Sequence, residues 1–305
     1  MYQKILVPLD GSKLSEAVLP YAGFLAKAFG AEVSLVHVGE PVLEEHAPEH
    51  KVFLDQISGQ MLAYGKAYLN DQARRLQQKG ISAKGEVLLG RAADEIATYA
   101  DQQGMDLVAM GTHGRAGLAR WRYGSVANEL RNRLPMPILL IRPMEELSEA
   151  AAAAREPLLL RVVVPLDGSQ VAEQALVHAR ELASRLELEV HLLRVVSRPA
   201  PTYIGPEAVE YYYDLESELE KVATEYLQTT QRTLEQQGLR VTSRIFHGYA
   251  ADNIVDYAEA LDQSLICMTT HGRTGLGRVI MGSVADKVLQ EAAEPIFLVR
   301  AQAAS

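Results

Sequence analysis

The chain repeats itself at one spacing, and that constrains its fold more than any other feature. KILVPLDGSKL at 4–14 returns as RVVVPLDGSQV at 161–171, and GRAADEIATY at 90–99 returns as GYAADNIVDY at 248–257. GTHGRAGLARWRYGSVAN at 111–128 returns as TTHGRTGLGRVIMGSVAD at 269–286. Asp10 pairs with Asp167 at an offset of 157, and Gly114 with Gly272 and Gly124 with Gly282 at an offset of 158. An offset held over a whole half signifies a duplicated domain, because solenoid repeats are far shorter and share one continuous core.

The 305 residues therefore divide into two domains of ordinary size. We expect domain 1 over 1–145, a linker over 146–157 and domain 2 over 158–305. The Ala- and Glu-rich centre of the join favours a short helix or semi-rigid spacer. A net charge of −9 disfavours nonspecific nucleic-acid binding, which needs a basic surface. No apolar run is long enough to span a bilayer, and MYQKILVPLD lacks a signal-peptide pattern. The single cysteine, Cys267 in LICM, reads as a small core residue and agrees with a reducing cytoplasm. The expectation is a cytoplasmic protein with neither nucleic acid nor membrane as partner.

Each half alternates short apolar runs with helical patterns. The runs are Ile5–Val7, Val33–Val38, Glu86–Leu89, Leu107–Met110 and Ile138–Ile141, then Val162–Val164, Val190–Val195, Val241–Phe246, Leu265–Met268 and Ile296–Val299. Near-continuous Val, Ile and Leu separated by helices predicts a parallel sheet covered on both faces. Helices are expected around 13–29, 61–79, 92–103 and 125–133, with counterparts in the second half. The result is an α/β chain of two tandem, doubly wound, open-sheet domains, each with five strands and about four helices. Such sheets bind ligands beyond the carboxyl ends of their strands, where the strand order reverses. Two long connections, 39–59 and 197–217, differ between halves and read as loops where specificity diverges. Tyr211, Tyr212 and Tyr213 are either a contact surface or the packed face of a helix start.

The strongest chemical signal follows the fourth strand: Gly111, two residues, Gly114, nine residues, then Gly124-Ser125 opening a helix. Glycines permit close backbone approach and positive φ, and turned-in N–H groups with a helix N-terminus favour anionic oxygens. The Ser125 hydroxyl is placed to cap that helix or to meet a phosphate oxygen. A helix end contributes about 0.3–1 kcal/mol per exposed charge. Micromolar affinity requires about 8 kcal/mol, so several donors and a nucleoside pocket must act together. The segment is neither a Walker loop nor a Gly-x-Gly-x-x-Gly fingerprint. Arg115, Arg120 and Arg122, with Arg273 and Arg278 in the second copy, suit a polyphosphate or form a solvated basic loop. After the first strand of each half, Val-Pro-Leu-Asp-Gly-Ser places Asp10 and Asp167 at the same crevice, with Ser12 and Ser169 as N-caps. Each Asp either contacts ligand or orders its own turn. His46 and His50 have helical metal-ligand spacing, but Pro48 between them disfavours a helix and leaves a solvated loop as the better reading.

On these residues both halves resemble universal stress protein domains, and the chain resembles a tandem universal stress protein along nearly its whole length. The ATP-binding subgroup carries Gly-x-x-Gly, nine residues, Gly-Ser/Thr, as the first half does. The resemblance implies a sheet of order 3-2-1-4-5 and ATP at its switch point, with Mg²⁺ or Mn²⁺ accompanying the phosphates. It implies that Pro8, Asp10 and the backbone of Val38 serve the nucleoside end. Gly111, His113, Gly114, Gly124, Ser125 and Val126 would then serve the ribose and phosphates. Asp167, Val195, Gly272, Gly282, Ser283 and Val284 are the second-half counterparts. Thr269 replaces the first glycine there, and its Cβ is expected to hinder close approach or a positive φ. The second site is therefore expected to be the weaker. The family also implies pairing through the last strands, Ile138–Ile141 and Ile296–Val299, as an intramolecular pseudo-dimer, with further homodimerisation open. No base–orienter pair accompanies His113 or His271 in sequence, so a binding and signalling module leads. A slow ATPase and a nucleotide-independent scaffold are the alternatives.

Overall fold

A computed structural model describes residues 1–39, 51–112, 124–142, 159–196, 206–271 and 282–301, with backbone alone for 51–58 and 206–215. The chain forms two compact units, Met1–Pro157 and Leu158–Ser305. The expected linker, 146–157, lies outside the described residues.

The first unit runs β1 (Lys4–Pro8), α1 (Lys13–Glu16), α2 (Leu19–Phe29), β2 (Glu32–Gly39), α3 (Lys51–Gln78), β3 (Ala83–Leu89), α4 (Ala92–Gln102), β4 (Leu107–Gly111), α5 (Ser125–Arg133) and β5 (Ile138–Ile141). Its strands lie in the order β3-β2-β1-β4-β5, every pair parallel. The second unit runs β6 (Arg161–Pro165), α6 (Gln170–Leu186), β7 (Glu189–Val196), α7 (Pro206–Glu235), β8 (Val241–His247), α8 (Ala250–Ala260), β9 (Ser264–Thr269), α9 (Ser283–Glu291) and β10 (Ile296–Val299). Its order is β8-β7-β6-β9-β10, again parallel, so each half has the predicted 3-2-1-4-5 arrangement.

The central strands are buried on both faces: Ile5, Leu6 and Val7 have no exposed surface, nor do Val162, Val163 and Val164. That is why these runs are continuous rather than alternating. Cys267 is fully buried in β9 with its Sγ 3.6 Å from the Ala175 carbonyl, and burial pushes its thiol pKa up. It is a core residue, as its apolar neighbours indicated. No described helix is long and apolar enough to cross a membrane.

The structure departs from the sequence expectation in three elements. The pattern over 13–29 is two helices, not one, because Pro20 occupies the first turn of α2 and has no N–H to continue from α1. Val177 stands at that place in the second half, and α6 runs unbroken. The connections expected as loops are shorter than their sequences suggested. α3 begins at Lys51 and α7 at Pro206, so Tyr211, Tyr212 and Tyr213 belong to a helix.

Candidate functional site

Strand order reverses between β1 and β4 in the first half and between β6 and β9 in the second. The chain leaving β1 turns sharply at Asp10. The Asp10 Oδ1 accepts from the Ser12 N–H at 2.9 Å and the Ser12 hydroxyl at 2.6 Å, and Gly11 takes φ 81°. The Ser12 Oγ then accepts the Ser15 N–H at 3.1 Å, capping α1. The second half repeats this arrangement: Asp167 Oδ1 accepts from the Ser169 N–H at 2.9 Å and its hydroxyl at 2.6 Å, with Gly168 at φ 82°. Ser169 caps α6 through the Ala172 N–H. Each Asp thus orders its own turn through one carboxylate oxygen, and the glycine supplies the left-handed step the turn requires.

Beside this turn the backbone of Val38 projects past the end of β1. In β2 the odd residues bond towards β3, as the Val33 N–H to the Ser82 carbonyl and the Gly39 carbonyl to the Gly90 N–H demonstrate. The even residues bond towards β1: the Glu32 N–H donates to Gln3, and the Val36 carbonyl accepts from Leu9. The β1–β2 pairing ends at Pro8↔Val36. The next even residue, Val38, therefore carries its N–H and C=O on the crevice side. Val195 has the same place in β7, two residues beyond the last β6 pair at Pro165↔Leu193.

On the other side of the switch point a backbone clamp closes the base of the glycine-containing segment. The Thr112 N–H donates to the Ile141 carbonyl at 2.9 Å, and the Thr112 carbonyl accepts the Gly124 N–H at 2.8 Å. In the second half Thr270 donates to Val299 at 2.9 Å and accepts from Gly282 at 2.9 Å. This fixes where α5 and α9 begin. The first intrahelical bond of α5 is the Asn128 N–H to the Gly124 carbonyl, so the N–H groups of Ser125, Val126 and Ala127 are not consumed by the helix. Gly124 is the N-cap with no side-chain capping bond, and the same holds for Gly282 ahead of Ser283 and Val284. Ser125 is the first helical residue rather than the cap, so its exposed hydroxyl does not close the helix end.

Positive φ is not realised at the described glycines of this segment. Gly124 has φ −53° and Gly282 φ −63°, and neither Gly111 nor Thr269 has positive φ. A Cβ at Gly124 would lie 3.4 Å from the Thr112 carbonyl oxygen, an ordinary contact, so neither φ nor packing within the protein demands glycine there. Thr269 sits without backbone strain at the end of β9, buried, with its hydroxyl donating to the His271 carbonyl at 2.6 Å. The steric part of the expectation for Thr269 stands on bulk alone.

Sequence reasoning missed the groups supporting the Asp turn. Tyr68 of α3 donates to Glu16 Oε1 at 3.1 Å, joined there by the Gln72 amide at 3.2 Å. Burial, then the Glu16 charge, push the Tyr68 hydroxyl well above its usual pKa, and Asp10 adds to the shift. Tyr226 donates to Glu173 at 2.9 Å in the second half, and burial followed by that bond raises its pKa likewise. His37 of β2 holds the Leu9 carbonyl through Nδ1 at 2.8 Å, whereas Arg194 stands at its place in β7. The repeat itself held the signal, since every one of these residues recurs or is exchanged at the fixed offset. His113, Gly114, Gly272, the loop arginines, His46 and His50 lie outside the described residues.

A parallel α/β half with a backbone-clamped helix start beside an Asp turn defines a class of domain suited to anionic ligands. The universal stress protein family model matches residues 1–142 and again 159–300, and the chain belongs to that family. A universal stress protein of Methanocaldococcus jannaschii is 35% identical over 146 residues, covering 48% of this chain and 84% of the relative. One from Mycolicibacterium smegmatis is 26% identical over 306 residues, covering 97% of this chain and 96% of its own, so the tandem arrangement is shared. Among solved structures, a universal stress protein from Archaeoglobus fulgidus superposes with a TM-score of 0.71 at 19% identity, covering 97% of this chain and 98% of the other. This likeness concerns the fold.

Proposed function

We propose that this chain is a nucleotide-responsive binding module whose first half takes ATP, with Mg²⁺ or Mn²⁺ carried on the phosphates, and whose second half binds it more weakly. The observation that carries this reading is the Thr112 clamp, which holds the free N–H groups of Ser125, Val126 and Ala127 at the switch point. Asp10 and the Val38 backbone line the nucleoside end, and Gly111, Gly124, Ser125 and Val126 the phosphate end, with His113 and Gly114 between them in sequence. Pro8 fixes the approach to the turn. In the second half Asp167, Val195, Gly272, Gly282, Ser283 and Val284 take the same roles. The residues present fit the group: backbone donors at a helix start suit phosphate oxygens, and the N–H groups of Ser125, Val126 and Ala127 are not consumed by the helix. When bound, the metal ion neutralises phosphate charge, while the chain orients the nucleotide.

Binding rather than turnover is favoured because no base–orienter pair accompanies His113 or His271 in sequence. Isothermal titration of nucleotide-stripped protein with ATP and Mg²⁺ tests the reading. About one site per chain is the expected stoichiometry. Folded protein that binds no nucleotide would move the function to a scaffold role.

A further inference from the structure

The two halves offer an internal comparison at the place where β2 and β7 pass beneath the Asp turns. His37 and Arg194 each lie one residue beyond the last pair with the neighbouring strand, Pro8↔Val36 and Pro165↔Leu193. His37 holds the Leu9 carbonyl at 2.8 Å, edge-on to Tyr68 at 6.4 Å, a bond that imidazole donates without being charged. Arg194 reaches further. Its guanidinium carbon lies 5.1 Å from the centroid of the Tyr226 ring. Its Nη1 sits against the turn backbone, where a Cβ on Gly168 would lie 2.8 Å away. A permanent cation is therefore packed between an aromatic face and the residue following Asp167. The paired tyrosines register the difference: Tyr68 feels the negative charge of Asp10, whereas Tyr226 feels the positive charge of Arg194. Glu16 and Glu173 are matched between halves by their tyrosine bonds. Lys13, the cation at the first turn, points outward with a 72% exposed side chain and pairs with Glu16 at 3.3 Å, so solvent screens it.

We infer that Arg194 is a specificity-determining residue of the second crevice, biasing it towards more highly anionic ligands than the first crevice prefers. The inference rests on the nucleotide-binding reading above. It implies that the halves have diverged in ligand preference as well as in affinity.

The test uses the full nucleotide-stripped chain, with ATP and uncharged adenosine as probes over a series of salt concentrations. D10A silences the first crevice and D167A the second. With D10A, the ratio of ATP to adenosine affinity is expected to exceed that with D167A and to fall more steeply with salt. Adding R194H to D10A should lower the ratio roughly three- to tenfold, the size of one charge acting across several ångströms of partly solvated protein. R194K should retain most of it. H37R added to D167A should raise the ratio in the first crevice. An unchanged ratio and salt slope in R194H, or R194K as damaging as R194H, would overturn the inference. A second crevice that takes neither probe also overturns it, while leaving the first-crevice reading intact. Wild-type protein that binds neither probe would overturn both.

Discussion

Glu187 ends α6 in the left-handed conformation, φ 57° and ψ 35°, with its N–H donating to the Ala183 carbonyl. Gly30 ends α2 in the same way, φ 65° and ψ 33°, bonded to Ala26. The duplicated domain thus requires one backbone geometry twice, but only the first copy meets it with the residue that adopts it without a Cβ penalty. Glu187 is exposed, and the Arg240 bond it receives goes to its backbone carbonyl, so a glycine loses no side-chain contact in the core. E187G should stabilise the protein by about 0.5–1 kcal/mol, since the relieved strain exceeds the added entropy of the unfolded chain. Urea denaturation measures this, and a loss of stability would mean that the Glu187 side chain contributes more than its geometry costs.

At the scale of elements, Gly85 sets how closely α3 lies on β3. A Cβ there would fall 2.6 Å from the Leu69 Cβ and 3.3 Å from the Leu69 carbonyl carbon, contacts that only a shift of the helix relieves. G85A should therefore cost about 1–3 kcal/mol, as overpacking does, and a midpoint within error of wild type would show that α3 yields freely. Ser243 has that place in the second half, and its hydroxyl donates to Gln231 Oε1 at 2.7 Å, so α7 and β8 meet through a polar contact instead. These details explain what the sequence could and could not disclose. The inner strands were legible because double-sided burial writes itself as unbroken apolar runs, whereas the edge strands β3 and β8 are half-exposed and carry polar residues. The start of α5 was legible because Gly124-Ser125 ends a glycine-spaced segment after a strand. The split at Pro20 was legible in principle, since the proline was visible, but a short helix ahead of it repeats the same periodicity. The early turns of α3 and α7 were not, because Gly59 within α3 and Gly205-Pro206 at the start of α7 mimic loop composition. The Thr112 and Thr270 clamps are backbone bonds, so side-chain identity carries no trace of them.

For the whole molecule, acid sensitivity should come first from the second half. His178 and His191 have lowered pKa values, each chiefly through burial, with Glu189 partly opposing the shift at His191. Unfolded, both take up a proton near pH 6.5, and folded they do so at lower pH. Below pH 6.5 the unfolded chain therefore binds more protons, and stability falls with acid until the lowered pKa values are passed. H191Q should flatten that decline between pH 7.5 and 5.5, and an unaltered slope in urea midpoints would remove His191 from the account. The proposed function at the same scale turns on the inequality of the halves. Thr269 has an ordinary backbone conformation and Gly111 needs no positive φ, so the two residues can be exchanged without refolding either strand end. The exchange isolates bulk, together with the hydroxyl bond to the His271 carbonyl at 2.6 Å. T269G should strengthen ATP binding at the second crevice by about tenfold, near 1.4 kcal/mol, and raise the titrated stoichiometry from about one towards two. G111T should weaken the first crevice by a similar factor. If T269G leaves one site per chain while G111T abolishes it, bulk limits the first crevice alone, and the weakness of the second has a source other than Thr269.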